Sequence, residues 1–338
     1  MRLLLSGYHN PHFPTITEYM EDAIHHLGHD LIVFDDRKYL FPGRFRERLP
    51  WLHRFDAAHL NQKLIRLAMG MKPDIAIITG GHRIAVDTIK SLKRLGIITV
   101  LWTIDAPHDF QPIIEVAPYY DHIFCQGTEA IELLEQAGIK GANWLPMACD
   151  PLYHHPVTVP DPERTRYAHD IAFVGSYYPN RADLFATIAH LDLAIWGPGW
   201  NIPKRSSPLK RCIQGLHTLP SEWLKIYSSA HIVLASHYQD PERRFPVYQA
   251  SPRIFEALAC GAFVLSDDQR DVFSLFNDGQ HLARFSNAGE LEEKVLYYLN
   301  HPEERHAIAE KGQEEVLKNH TYGKRIEELL SLIQRPRS

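Results

Sequence analysis

Short apolar runs separated by helical patterns recur along most of this chain, and that alternation constrains the fold more than any other feature. Residues 2–6 (RLLLS), then DLIVFD, PDIAIITGG, IITVLWTID and HIFCQG read as buried strands, with ANWLP as a shorter one. Between them TITEYMEDAIHHLGH, IAVDTIKSLKRLG and EAIELLEQAG place apolar residues at helical spacing. Such alternation predicts a parallel sheet covered by helices. Residues 147–170, MACDPLYHHPVTVPDPERTRYAHD, are rich in Pro, Asp and His, lack a period and read as an interdomain linker. The alternation restarts with DIAFVGSYYPNRADLFATIAHL and continues through DLAIWG, AHIVLASHY, SPRIFEALACGAFVLSDD and QHLARFS; from Ala288 to Arg335 the text is helical and charge-laced. A chain of 338 residues is too long for most single cores. The expected class is α/β: two Rossmann-like, doubly wound domains facing across a cleft. Their expected bounds are 1–155 and 165–320, with a C-terminal helix at 321–338 packing back on the first. Ligands of such sheets bind at the carboxyl ends of the strands.

Composition narrows the function. A net charge of -5 argues against a general nucleic-acid binder. Cys125, Cys149, Cys212 and Cys260 are scattered without C-x-x-C spacing, which fits reduced thiols in a cytosol. MRLLLSGYHNPHF has three consecutive leucines before polar residues and reads as a first strand rather than a signal peptide. No apolar run approaches the ~20 residues of a membrane span. A cytoplasmic protein is expected. The pairs His9/His12 and His154/His155 lack a third spaced ligand, so no metal site is expected.

Five stretches carry candidate chemistry. In SPRIFEALACGAFVLSDD, Ser251 is placed to cap a helix, Pro252 fits its first turn and Cys260-Gly261 stops it. Arg253 at the helix mouth suits a phosphate, and Glu256 one turn on suits the cis-hydroxyls of a ribose. The plain alternative is an i, i+3 ion pair. In FVGSYYPNR, Gly175 and Ser176 end a strand and Arg181 follows near a helix start, a phosphate loop or an ordinary turn. In LWTIDAPHDF, Asp105, His108 and Asp109 follow a strand where a general base would sit, or serve only as loop caps. The loops SGYHNPHF and Gly80-Gly81-His82 lack the G-x-G-x-x-G fingerprint of a dinucleotide site. Residues 37–55, RKYLFPGRFRERLPWLHRF, interleave basic and aromatic residues; they fit an anionic membrane surface or acidic acceptor, or a solvated excursion.

Together these motifs resemble a known family. FVGSYYPNR, YSSAHIVLASHY, SPRIFEALACGAFVLSD and YYLNHPEERHAIAEKGQEEVLKNHTYGKR resemble the glycosyltransferase group-1-type domain of the CgeB-like spore-maturation proteins. PDIAIITGG, TVLWTIDAPHDF, YDHIFCQG and LPMACDP resemble its companion domain. The resemblance implies a GT-B fold and sugar transfer from a nucleotide-sugar donor, with no separate cofactor and no metal. It implies that Glu256 holds the donor ribose, that Pro252 and Arg253 lie by the diphosphate, and that Gly175, Ser176 and Arg181 approach the phosphates. GLHTLPSEW stands where the nucleobase is held, which points to His217 and Thr218. Many retaining relatives carry E-x7-E, and the first glutamate is Tyr248 here. The expected catalytic set is Asp105, His108 and Arg253. Two other readings fit the same residues: a sugar-nucleotide epimerase or hydrolase, and a non-catalytic sugar- or nucleotide-binding protein.

Overall fold

The computed structural model describes residues 1–104, 110–202, 206–240, 242 and 245–334. The chain forms two compact units, Met1–Pro146 with Ile326–Ser338, and Met147–Arg325.

Unit 1 is built on six parallel strands: β1 (Arg2–Gly7), β2 (Asp30–Asp35), β3 (Ile75–Ile78), β4 (Ile98–Thr103), β5 (His122–Cys125) and β6 (Ala142–Trp144), in the order β2-β1-β3-β4-β5-β6. Leu3 pairs with Leu31 on one side and Ile75 on the other. Parallel sheets are covered on both faces, so their strands are apolar throughout, as all four residues of β3 are. Helices α1 (Ile16–His26), α2 (Gly43–Arg48), α3 (Pro50–Met71), α4 (Val86–Arg94), α5 (Gln111–Val116) and α6 (Thr128–Gln136) connect them. Thr15 and Glu18 close a capping box at the start of α1.

Unit 2 repeats the scheme with β7 (Ile171–Val174), β8 (Leu193–Trp196), β9 (Ile213–Gly215), β10 (Ile232–Ala235), β11 (Val264–Asp267) and β12 (Ala283–Phe285), in the order β12-β11-β10-β7-β8-β9. Its helices are α7 (Asp161–Tyr167), α8 (Pro179–Thr187), α9 (Pro220–Ser229), α10 (Pro252–Ala259), α11 (Arg270–Leu275), α12 (Ala288–Asn300) and α13 (Pro302–Asn319); α14 (Tyr322–Gln334) follows. The chain winds from β7 through β8 to β9, then returns to place β10 on the other side of β7. The order therefore reverses between β7 and β10, where an open α/β sheet leaves its ligand crevice.

Two segments differ from the sequence reading. Residues 147–170 are not an open linker: they contain α7, and Met147, Ala148, Cys149 and His154 are buried in unit 2. The basic and aromatic stretch runs into α3, whose 22 residues bury Leu52, Asp56, Leu60, Leu64 and Ala68 at four-residue steps. A polar residue within that buried stripe, and Trp51 and Phe55 outside it, hide the helical period from a sequence reading.

Helix α10 packs on α13 through Gly312. A Cβ at that position would stand 2.2 Å from the His281 carbonyl oxygen and 2.8 Å from Leu258 Cδ2. Gly312→Ala is expected to lower stability by about 1–3 kcal/mol through overpacking, read as a lower urea midpoint.

Candidate functional site in unit 2

The site is built at the carboxyl ends of β7, β8 and β10. Two glycines let these ends approach each other. A Cβ on Gly197 would lie 2.2 Å from the Gly175 carbonyl oxygen, and the Gly175 N–H donates to the Trp196 carbonyl at 2.8 Å. The Gly175 carbonyl in turn accepts from Trp200 Nε1 at 2.8 Å. A Cβ on Gly175 itself would stand 2.3 Å from Arg253 Nη2. The bare glycine thus leaves the space that the Arg253 guanidinium fills.

Arg253 is the second residue of α10. A crossover helix runs antiparallel to its strands, so this helix start lies at the carboxyl edge. Gly261, with φ +74°, ends the helix, as expected. Ser251 departs from expectation, because its side chain makes no capping hydrogen bond. Its N–H donates instead to His237 Nε2 at 3.1 Å. His237 follows β10, is 3% exposed, and sets Nδ1 2.5 Å from Asp267 Oδ1 at the end of β11. Sequence reading missed both residues. Asn180 Nδ2 donates to the His237 carbonyl at 3.0 Å and Arg181 Nε to the Ser236 carbonyl at 2.9 Å, so α8 is tied to the same strand end.

The electrostatics of this edge are uneven. The Arg253 guanidinium lies 4.9 Å from the Phe173 ring centre, and that of Arg181 lies 5.2 Å from the same ring. Burial, and then the neighbouring Arg253 charge, push the Arg181 pKa down to about 9. Arg181 is buried under the loop, and its Nη1 donates to the Ser176 carbonyl at 2.8 Å. Arg253 lies by the buried Tyr227, and its Nη1 is buried with no hydrogen-bond partner among the described residues. Among the described residues, neither arginine forms an ion pair with a carboxylate. The plain reading of Arg253 and Glu256 as an i, i+3 ion pair therefore fails.

Glu256 faces His154 instead, with His154 Nε2 4.0 Å from Glu256 Oε1. Burial raises the Glu256 pKa to about 7, against the opposing charge of Arg253. Burial lowers that of His154 to about 4, and its Nδ1 accepts from the Asp150 N–H at 3.0 Å. The proton of the neutral ring therefore sits on Nε2, toward Glu256.

Other expected residues lie farther out. Thr218 Oγ1 accepts from Trp223 Nε1 at 2.8 Å, and His217 is exposed; both follow β9, two strands from β7. At strand spacings of about 4.8 Å that is about 10 Å away. Pro252 occupies the first turn of α10. The Tyr248 ring stacks under the Arg270 guanidinium at 4.5 Å. Beside it an open pocket of about 440 Å³ is lined by Gln239, Asp240, Phe245, Pro246, Val247 and Gln269. Asp105, His108 and Asp109 lie outside the described residues.

The carboxyl edge of unit 1 holds a smaller cavity of about 140 Å³, whose lining includes Tyr8, Thr15, Thr17, Asp36, Thr79 and Arg83. Nearby, His9 Nε2 lies 2.6 Å from Glu21 Oε1. Among the described residues no group of three or more His, Cys, Asp or Glu side chains is arranged to hold a metal ion.

Residues 181–331 match the family described as glycosyl transferase-like. Solved structures share the architecture of the whole chain. Anabaena HepE in complex with UDP-glucose superposes with a TM-score of 0.66 at 10% identity, covering 98% of this chain and 99% of that one. An α-glucosyltransferase in complex with UDP-glucose and DNA gives 0.68 at 13% identity, covering 99% and 100%. Sucrose-phosphate synthase from Thermosynechococcus elongatus gives 0.64 at 12%, covering 98% and 98%. The fold and the family match define the class: a glycosyltransferase of the GT-B fold. Among curated proteins the chain is similar to spore protein CgeB of Bacillus subtilis (strain 168), 22% identical over 262 residues, 74% of this chain and 80% of that protein.

The Glu256 environment gives a pH signature. Its folded pKa of about 7 lies above the ordinary 4.5, so its contribution to stability is greatest below pH 4.5 and is lost as pH rises through 7. Glu256→Gln removes that loss. The variant should gain on the wild type between about pH 5 and pH 8, by on the order of 3 kcal/mol at most, in urea unfolding measured across that range. A pH-independent difference would contradict the assignment.

Proposed function

We propose that unit 2 binds the nucleoside diphosphate of a nucleotide-sugar donor, with the diphosphate at Arg253 and the ribose at Glu256. The observation that carries this reading is the pair of guanidiniums on Phe173, neither in an ion pair among the described residues, beside the start of α10. Positive charge with no ion-pair partner among the described residues, at a glycine-lined strand edge, is suited to a dianionic group. Glu256, which makes no ion pair with Arg253, has carboxylate oxygens to accept from vicinal hydroxyls. Arg181 acts as a positioning residue that fixes Gly175 and Ser176. His217 and Thr218, about 10 Å away across two strands, are proposed to meet the base. The pocket of Gln239, Asp240 and Gln269 offers polar atoms for the sugar hydroxyls. UDP-sugars are the first donors to test, because two of the similar structures contain UDP-glucose.

In the transfer step, the bond between the sugar and the diphosphate breaks and negative charge grows on the leaving oxygen. Arg253 is proposed to stabilise that charge in a partly desolvated setting. An acceptor hydroxyl completes the exchange, and for an inverting reaction Asp105, with His108 nearby in sequence, is the proposed base. The cavity of unit 1, whose lining includes Thr17, Asp36, Arg37 and Arg83, is the proposed acceptor subsite. A cytoplasmic setting is supported by four free, buried cysteines.

Two variants separate the roles. Glu256→Ala should weaken donor binding about tenfold or more in calorimetric titration, the loss of hydrogen bonds to a charged group. Arg253→Ala should lower kcat about a hundredfold beyond its effect on binding. Equal affinity of wild type and Glu256→Ala for every nucleotide would overturn the donor site. Product formed from donor alone would point to hydrolysis or epimerisation instead.

A further inference from the structure

The most prominent surface outside this site lies on unit 1, where the loop before α2 and the first turns of α3 expose apolar side chains. Trp51 is 63% exposed, Leu40 and Phe55 are 55%, and Leu49 and Phe41 are 40% and 37%. They are grouped rather than scattered. Phe41, Trp51, Leu52 and Phe55 line an open groove of about 480 Å³, and the rings of Phe41 and Phe55 stand 6.3 Å apart.

The fold holds this group in place. The buried Asp56 accepts from the N–H groups of Leu40 and Phe41, both at 3.2 Å. One and two helical turns on, Leu60 and Leu64 anchor α3 in the unit 1 core. Loop and helix are thereby fixed with their aromatic faces outward.

The same stretch is cationic. Lys38, Arg44, Arg48 and Arg54 are exposed, while the Arg37 guanidinium lies 4.3 Å from the Tyr8 ring centre. Residues 37–55 contain six Lys or Arg and one acidic residue, in a chain of net charge -5. The charge of this patch thus opposes that of the chain. Soluble proteins seldom leave such aromatic clusters uncovered without a partner.

We propose that this patch docks unit 1 onto an anionic membrane surface. Trp51, Phe55 and Phe41 would enter the boundary between headgroups and acyl chains, where amphipathic aromatic rings are favoured, while the arginines meet lipid phosphates. The cationic stretch that carries the groove selects lipid over a second copy of the chain, because self-association would bring like charges together. No helix among the described residues is long and apolar enough to cross a membrane, so the contact is peripheral. The inference concerns where the protein works and is independent of the donor site.

The test is co-sedimentation of the full chain with vesicles of phosphatidylcholine alone, and of phosphatidylcholine mixed with phosphatidylglycerol. Binding is expected only to the mixed vesicles, weakening as salt rises. Trp51→Ser with Phe55→Ser, and separately Arg48→Glu with Arg54→Glu, should each reduce it on the order of tenfold or more. All four positions are exposed, so both variants should keep the wild-type thermal melt. The inference is overturned by absent or lipid-independent binding of the wild type, or by undiminished binding of the aromatic variant. It is also overturned if light scattering shows a dimer that Trp51→Ser abolishes while vesicles remain unbound.

Discussion

The hydrogen bonds of His237 at the end of β10 hold the candidate site together. Its Nε2 accepts from the Ser251 N–H, which leaves the ring proton on Nδ1, directed at Asp267. Its own N–H donates to the other Asp267 oxygen at 2.8 Å. One protonation state thus satisfies a helix start and a neighbouring strand end at once. With Asn180 and Arg181 bonded to the same strand end, α8, α10 and β11 share one anchor. Buried polar networks of this kind are costly to break because each lost partner leaves another group unsatisfied. Arg253 is two residues beyond Ser251, so its position follows from this anchor.

The charges that the anchor positions are out of balance. Two guanidiniums lie against the Phe173 ring without a carboxylate in ion-pair range among the described residues. The Arg253 charge disfavours that of Arg181, and burial adds to the cost. An anion bound beside them relieves both penalties. Glu256 presents the opposite case, a carboxylate whose proton affinity burial has raised, with the neutral His154 beside it. A ligand that joins a diphosphate to vicinal hydroxyls complements the two halves of this edge, which is why the nucleotide-sugar reading fits better than a lone phosphate.

Much of the fold was legible in the sequence because parallel strands covered on both faces must be apolar at every position. IAFV and IVLA read as strands for that reason, and they became β7 and β10. The span of α10 was legible from Pro252 and Gly261, which carry backbone constraints of their own. The link through His237 was not legible. It joins residues 14 and 30 positions apart, and a histidine after a strand carries no local sign of its partners. Ser251 does stand at the N-cap, but without a side-chain cap, and its N–H bond to His237 was hidden from the sequence for the same reason. Residues 147–170 read as a linker because prolines and aspartates dominate, while the burial of His154 against Glu256 depends on the folded body. Helix α3 was hidden by Asp56, a polar residue buried to hold a loop.

The most direct measurement of the central claim is a crystal structure of the protein soaked with UDP. The account predicts the diphosphate within hydrogen-bonding distance of the Arg253 guanidinium and the ribose hydroxyls on the Glu256 carboxylate, with His237 still bridging Ser251 and Asp267. A nucleotide bound elsewhere, with Arg253 and Glu256 untouched, would contradict it.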